Sequence, residues 1–264
     1  MPDIFEEVAR IRRERLSATL ATVVGGEAGV PGKTGFRMIV YPDGKILGTV
    51  GGGLGEAKVQ EEALRCVQEG RSRLLELELT QATSGIGVLC GGKFKVFVEP
   101  IVPLSSVYIF GGGHIALHLA QFAKALDFLV FVVDDRDEFA SRERFPTADE
   151  VKSGDYSTII KSLQFQVDDC AVIVTHGHEH DEIVLKECLL TKNRPGYIGM
   201  IGSKSKIAAV FSHLKQQGAS DELLAKVHAP IGLDIGAKTP GEIALSIMAE
   251  IIAHKYGKLV EKAK

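Results

Sequence analysis

Gly111-Gly112-Gly113-His114-Ile115-Ala116 follows the apolar run 107–110 and opens a stretch of helical periodicity. In that setting each small residue has a physical role. Gly111 permits a tight turn, Gly113 lets the backbone approach a phosphate, and Ala116 lets the helix close on the strand. Asp134 and Asp135 end a second apolar run about twenty residues on, where an acid can reach a ribose hydroxyl. The chemistry indicated is anion binding, of a nucleotide or a pterin phosphate. The alternative is a doubly wound domain that kept the turn and binds neither.

Thr175-His176-Gly177-His178-Glu179-His180-Asp181 follows a third apolar run. Its imidazoles and carboxylates are donor types that zinc takes. The order nearly spells the HxHxDH of metallo-hydrolases, with the last two residues exchanged. In open α/β sheets ligands lie beyond the carboxyl ends of strands, which is where this segment falls. Spacing alone supplies no distant ligand, so the segment reads first as a polar pocket wall, with His178 and Asp181 as binding candidates. Asp181 is alternatively the N-cap of the next helix. A fourth run, 197–201, ends in Gly202-Ser203-Lys204, placing Ser203 and Lys204 at a helix start that can hold an oxyanion. Toward the N-terminus, Gly51-Gly52-Gly53 and the glycines flanking Cys90 offer backbone amides as anion nests. Cys90 is the cysteine expected to be accessible, as nucleophile or soft metal ligand; spacing alone favours an inert thiol in a hairpin loop.

These residues need elements to position them. Asp3 with Glu6 marks a helix start; β-like runs follow at 18–24, 36–41 and 46–50, the last two joined by the turn Pro42-Asp43-Gly44. A helix over 54–69 and strands over 73–79 and 93–99 complete a small α+β unit. Beyond a linker at 100–106, continuously apolar strands at 107–110, 129–133, 171–175 and 197–201 alternate with helices, as strands buried on both faces of a parallel sheet do. Further helices are expected from Glu182 and Lys204, and Thr239, Pro240 and Glu242 mark the last one with a capping box. The expected class is α/β, with a Rossmann-like parallel sheet over 104–264 and a smaller α+β domain over 1–103. Lys plus Arg number 31 against 34 Asp plus Glu, a balance that argues against a broad basic surface for nucleic acid. No apolar run approaches the roughly 18 residues of a membrane span, and the first residues lack the order of a signal peptide. With four dispersed cysteines, these features read as a cytoplasmic protein with free thiols.

The ordered motifs together carry a resemblance. Val107-Tyr-Ile-Phe-Gly-Gly-Gly-His-Ile-Ala116, Asp134-Asp135-Arg136 with Phe139, Arg144, Phe145 and Pro146, and His176-Gly177-His178 with Asp181 recur in one family. So do Tyr197-Ile-Gly-Met-Ile-Gly-Ser-Lys204 and His228-Ala-Pro-Ile-Gly-Leu-Asp-Ile-Gly-Ala237, followed by Thr239-Pro240 and Glu242. The chain resembles the XdhC/CoxI family over nearly its whole length. These are accessory proteins of xanthine dehydrogenase and related molybdenum hydroxylases. The resemblance implies a non-catalytic carrier that holds molybdenum cofactor (molybdopterin), protects it during sulfuration and delivers it to the apo-enzyme. It implies a cysteine desulfurase and a xanthine dehydrogenase-type molybdenum hydroxylase as partners, and a homodimer. The phosphate would lie at Gly111–Gly113 beside His114, with Cys90 and the His176–Asp181 segment, including His178 and Asp181, toward the metal or its dithiolene. An NAD(P)-dependent oxidoreductase using the same crevice, with Asp134 or Asp135 on the ribose and His178 as acid/base, is the reading from another class. A metal-dependent hydrolase built on His176, His178 and His180 is a third. The sequence departs from the family at its first glycine cluster: Leu54 stands where the family has a cysteine and Gly51 where it has a serine, while Cys90-Gly91-Gly92 is kept.

Overall fold

The computed structural model describes residues 3–27, 30–79 and 92–259. The chain forms two compact units, Met1–Leu104 and Ser105–Lys264. Cys90 and most of the second glycine cluster lie outside the described residues.

In the first unit the elements run α1 (Ile4–Arg13), β1 (Thr19–Gly26), β2 (Arg37–Val40), β3 (Ile46–Gly48), α2 (Gly53–Glu69), β4 (Arg73–Leu79) and β5 (Gly92–Pro100). The strands make an antiparallel sheet in the order β3-β2-β1-β5-β4. Because side chains alternate across a strand, Met38 and Val40 join Val59, Ala63 and Cys66 of α2 on one face. Ile39 joins Ile11 of α1 on the other. Asp3 caps α1 as its spacing predicts, accepting from the amides of Phe5 and Glu6.

The second unit runs β6 (Ser106–Phe110), α3 (His114–Ala125), β7 (Leu129–Asp134), β8 (Glu150–Ser153), α4 (Tyr156–Ser162), β9 (Cys170–Ile173), α5 (His178–Leu190), β10 (Tyr197–Met200), α6 (Lys204–Gln216), α7 (Asp221–Leu224), β11 (Val227–His228) and α8 (Pro240–Lys255). All neighbouring strands are parallel, in the order β11-β10-β9-β6-β7-β8. That is the doubly wound order of dinucleotide-binding sheets, whose winding reverses between β6 and β9. Val107 and Ile109 of β6 face Leu119 and Ala123 of α3 and Ile247 of α8. Tyr108 and Phe110 face Ile160 of α4, Leu185 of α5 and Val210 of α6. Both faces are therefore buried, which is why these strands lack polar alternation. The expected α/β class, with its parallel Rossmann-like sheet beside an α+β unit, is the one observed. The capping box of α8 is also present: Thr239 accepts from the Glu242 amide, and Glu242 accepts from the Thr239 amide. The start of α5 differs from expectation. It begins at His178 with Gly177 as N-cap, four residues before the apolar periodicity begins, so Asp181 lies inside the first turn and is not the cap.

Candidate functional site

The reversal point between β6 and β9 brings together the loops that follow them. Gly111 has φ 109°, open to glycine and strained for other residues. A Cβ there would lie 2.4 Å from the Val174 carbonyl oxygen, so glycine also lets the two loops touch. A Cβ on Gly112 would lie 2.1 Å from the Phe139 carbonyl oxygen. Over Gly113 there is nothing within 4 Å of the same position, and the start of α3 has no side-chain cap. The amides of Gly113, His114, Ile115 and Ala116 precede the first intrahelical bond and have no acceptor among the described residues. They are a cluster of donors at the positive end of a twelve-residue helix, with His114 exposed among them.

Asp134 is fully buried at the end of β7 and belongs to the loop. Its Oδ2 accepts from the Gly112 amide at 2.7 Å and from Arg136 Nη2 at 3.0 Å. Its Oδ1 accepts from the Arg136 amide at 3.0 Å and Nε at 2.8 Å. Burial works against the charge, but these hydrogen bonds outweigh it and hold the carboxyl below its usual range. The Arg136 guanidinium lies 3.7 Å from the Phe139 ring centroid, and Arg144 donates to the Gly112 carbonyl at 2.9 Å. The Asp-Asp-Arg…Phe…Arg motif is thus a brace that fixes the glycine loop and consumes the Gly112 amide. Among the acids at this strand end, Asp135 remains partly exposed.

Beyond β9, Asp181 is buried, accepts from Thr175 Oγ1 at 2.5 Å, and pairs with Lys206 of α6. Its carboxylate ties α5 to α6, so it acts on a ligand only through that framework. His178 is exposed and lines a groove of about 350 Å³ with Glu182, Lys206 and His213. Ser203 caps α6 by accepting from the Lys206 amide at 3.2 Å, and both Ser203 and Lys204 are exposed. The sheet's carboxyl edge therefore carries Gly111, Gly113, His114, Asp134, Asp135, His178, Asp181, Ser203 and Lys204. Gly111 and the Thr175 loop are in direct approach, and Asp134 and Asp181 are internal supports. Lys206 was not singled out by the sequence; its Gly-Ser-Lys-Ser-Lys setting was the only local signal.

In the first unit the glycine cluster closes on an anion of its own. Glu56 of α2 accepts from the amides of Val50 and Gly52, each at 3.1 Å, and from the Thr49 hydroxyl. Leu54 is exposed on the first turn of α2. Cys66, Cys170 and Cys188 are buried free thiols. Burial raises the Cys66 thiol, pushes Cys170 up to about 12 and Cys188 higher still. Alkylation depends on thiolate and access, so iodoacetamide in a mildly alkaline native buffer is expected to leave these three unmodified and to label them in denaturant. Peptide mapping by mass spectrometry reads the result; native labelling of Cys170 would contradict it.

Residues 107–251 match the family model described as the XdhC Rossmann domain, and residues 11–78 match the one described as the XdhC and CoxI family. The chain belongs to the XdhC/CoxI family. It is 30% identical to YqeB of Escherichia coli K12 over 96% of its length. It is 31% identical to a probable xanthine dehydrogenase subunit from Bacillus subtilis over 60%. The matches cover 46% and 45% of those proteins, so the chain spans less than half the length of either. It is 24% identical to the molybdenum cofactor insertion chaperone PaoD of Escherichia coli K12, over 89% of this chain and 82% of PaoD. Among solved structures, a Bacillus halodurans protein described as a xanthine dehydrogenase aligns with TM-score 0.53 at 21% identity, covering 98% of this chain and 97% of its own. That likeness concerns the fold. No helix among the described residues is long and apolar enough to cross a membrane.

Proposed function

We propose that this XdhC/CoxI chain is a maturation factor that holds molybdenum cofactor as cargo, assists its sulfuration, and delivers it to a xanthine dehydrogenase-type molybdenum hydroxylase. The observation that carries the reading is the start of α3, where four amides lack acceptors among the described residues and the Cβ position of Gly113 meets nothing within 4 Å. A terminal phosphate fits that donor set in charge and in hydrogen-bond capacity. The names of PaoD and of the Bacillus subtilis relative support the choice of cargo and recipient. At the metal end the fit is partial. Leu54 removes one of the family's two thiols, and Cys90 lies outside the described residues, so no thiol step is assigned. In this reading a cysteine desulfurase supplies sulfur, and the chain works as a cytoplasmic homodimer.

What the chain's own residues do is bind and position. Asp134, Arg136 and Arg144 hold the loop in register, and the four amides grip the phosphate. Asp135 and His114 border the carboxyl edge. Dinucleotide binding is less well supported, because Asp134 is buried and fully engaged with Gly112 and Arg136, which leaves Asp135 as the one acid of this strand end for a ribose. The test is anaerobic gel filtration of the chain mixed with molybdopterin. The expected result is about one pterin co-eluting per chain and no displacement by excess NAD(H) or NADP(H). Displacement by a nicotinamide nucleotide, or no retained pterin, would overturn the reading.

A further inference from the structure

Two imidazoles to which the proposed function assigns no role, His176 and His180, lie near Asp135 at the reversal point of the sheet. His176 precedes α5 and His180 lies in its first turn, and the chain's turn through the extended N-cap Gly177 brings their rings together while His178 lines a separate groove. His176 Nδ1 lies 3.7 Å from Asp135 Oδ1, and His180 Nε2 lies 3.7 Å from Asp135 Oδ2. One donor atom from each of the three falls within 4.8 Å of the others. The imidazole rings are 4.6 Å apart at 37°. These separations are too long for hydrogen bonds. A tetrahedral zinc-class ion with bonds near 2.0–2.2 Å sets its ligand atoms about 3.4 Å apart, so closure by up to about 1.4 Å, within reach of side-chain rotation, would complete the site.

A second observation points to a missing partner. Asp135 Oδ1 is a buried carboxylate oxygen that accepts no hydrogen bond, and the buried Tyr156 hydroxyl makes none of normal geometry. Tyr156 packs edge-on against His180, with ring centroids 5.7 Å apart. The nearest cation, Arg136, has its Nε 4.0 Å from Asp135 Oδ1 but is engaged with Asp134 through Nε, Nη2 and its amide. One oxygen of this partly exposed carboxylate is therefore left without a hydrogen-bond donor beside two imidazoles, its ion-pair contact with Arg136 being a long one.

We propose that Asp135, His176 and His180 form a binding site for a divalent transition-metal ion of the zinc class. Three protein ligands leave a fourth coordination position for water or an exogenous donor, as in sites that keep an exchangeable ligand. None of its donors is one of the amides at the start of α3, so metal uptake and pterin retention can be measured separately.

The full-length chain, stripped with chelator, is titrated with Co²⁺ and then with competing Zn²⁺, while visible absorption and bound metal are measured. The expected result is saturation at about one ion per chain, with d–d bands of a nitrogen and oxygen ligand set and no sulfur-to-cobalt charge-transfer band. His176→Ala and His180→Ala are each expected to weaken binding on the order of 100-fold or more, and Asp135→Asn at least about 10-fold. His213→Ala removes an exposed imidazole that also faces a carboxylate, Glu182, at 2.8 Å, but belongs to no three-donor group among the described residues; it is expected to change nothing. Absence of saturable uptake, a thiolate charge-transfer band, or equal losses for His213→Ala would overturn the site. The wild-type spectrum alone decides whether the site exists, without any variant having to fold, and retention of molybdopterin is measured separately in metal-free chain.

Discussion

Asp134→Asn is expected to cost about 3 kcal/mol or more of unfolding free energy, read from urea denaturation at neutral pH. The substitution keeps the side chain's shape but replaces one acceptor oxygen with a donor facing donors. Asp134 receives four hydrogen bonds, from the Gly112 amide and from the amide, Nε and Nη2 of Arg136, and it is wholly buried. Removing its charge leaves Arg136, over the Phe139 ring, with only the more distant Asp135 carboxylate at 4.0 Å, and weakens the hold on the Gly112 amide that sets the loop. The loss has a pH signature. The folded carboxyl titrates below its ordinary value, so its contribution is fully present above about pH 4, the unfolded value, and disappears as pH falls through the lower folded one. The stability gap between wild type and Asp134→Asn should therefore shrink on acidification. A gap under about 0.5 kcal/mol at neutral pH, in the range of an unremarkable surface change, would contradict the bracing role.

This brace marks the boundary of what was legible in the sequence. The strand–glycine–helix unit at 107–125 could be read directly, because an apolar run, a GxGxxA turn and helical periodicity are local signals. The same holds for Asp3 and for the capping box of α8. The start of α5 was not legible, because His-Gly-His-Glu-His-Asp has no apolar periodicity and its N-cap is a glycine. Strand β8, Glu-Val-Lys-Ser, lies at the sheet edge and lacks an apolar run. The pairing of Asp181 with Lys206 spans β10 and follows only from the stacking of α5 and α6. A further buried hydrogen bond, from the Tyr197 hydroxyl to Glu250 at 2.7 Å, joins β10 to a helix whose sequence reads mainly as an apolar face. In the candidate site the glycine roles were readable from type and spacing. Whether Asp134 faced a ligand or the protein was not, since both fates place an acid at the same strand end. His176 and His180 were visible as residue types, but their meeting with Asp135 depends on β7 and β9 flanking β6.

The largest expected effect on binding comes from Gly113→Asp. Gly113 sits at the N-cap of α3 with φ −71° and ψ −168°, an ordinary conformation for any residue, and a Cβ there meets nothing within 4 Å. Aspartate is a favoured N-cap, so its carboxylate should fold onto the free amides of the first turn. Stability is then unchanged or raised by about a few tenths of a kcal/mol. The same carboxylate fills the proposed phosphate pocket and repels an incoming anion. The affinity for molybdopterin should fall by about 100-fold or more, roughly 2.8 kcal/mol, through loss of charge-assisted hydrogen bonds to the amides. Few substitutions at a binding site separate stability from affinity in this direction, and Gly113→Ala, which adds bulk without charge, serves as the matched control.

Equilibrium titration of molybdopterin into wild type, Gly113→Ala and Gly113→Asp, alongside their thermal unfolding, tests the central claim most directly. A loss of affinity near two orders of magnitude for Gly113→Asp alone, with its melting temperature at or above that of wild type, is the predicted outcome. Wild-type affinity in the aspartate variant would mean that the phosphate is held somewhere other than the start of α3.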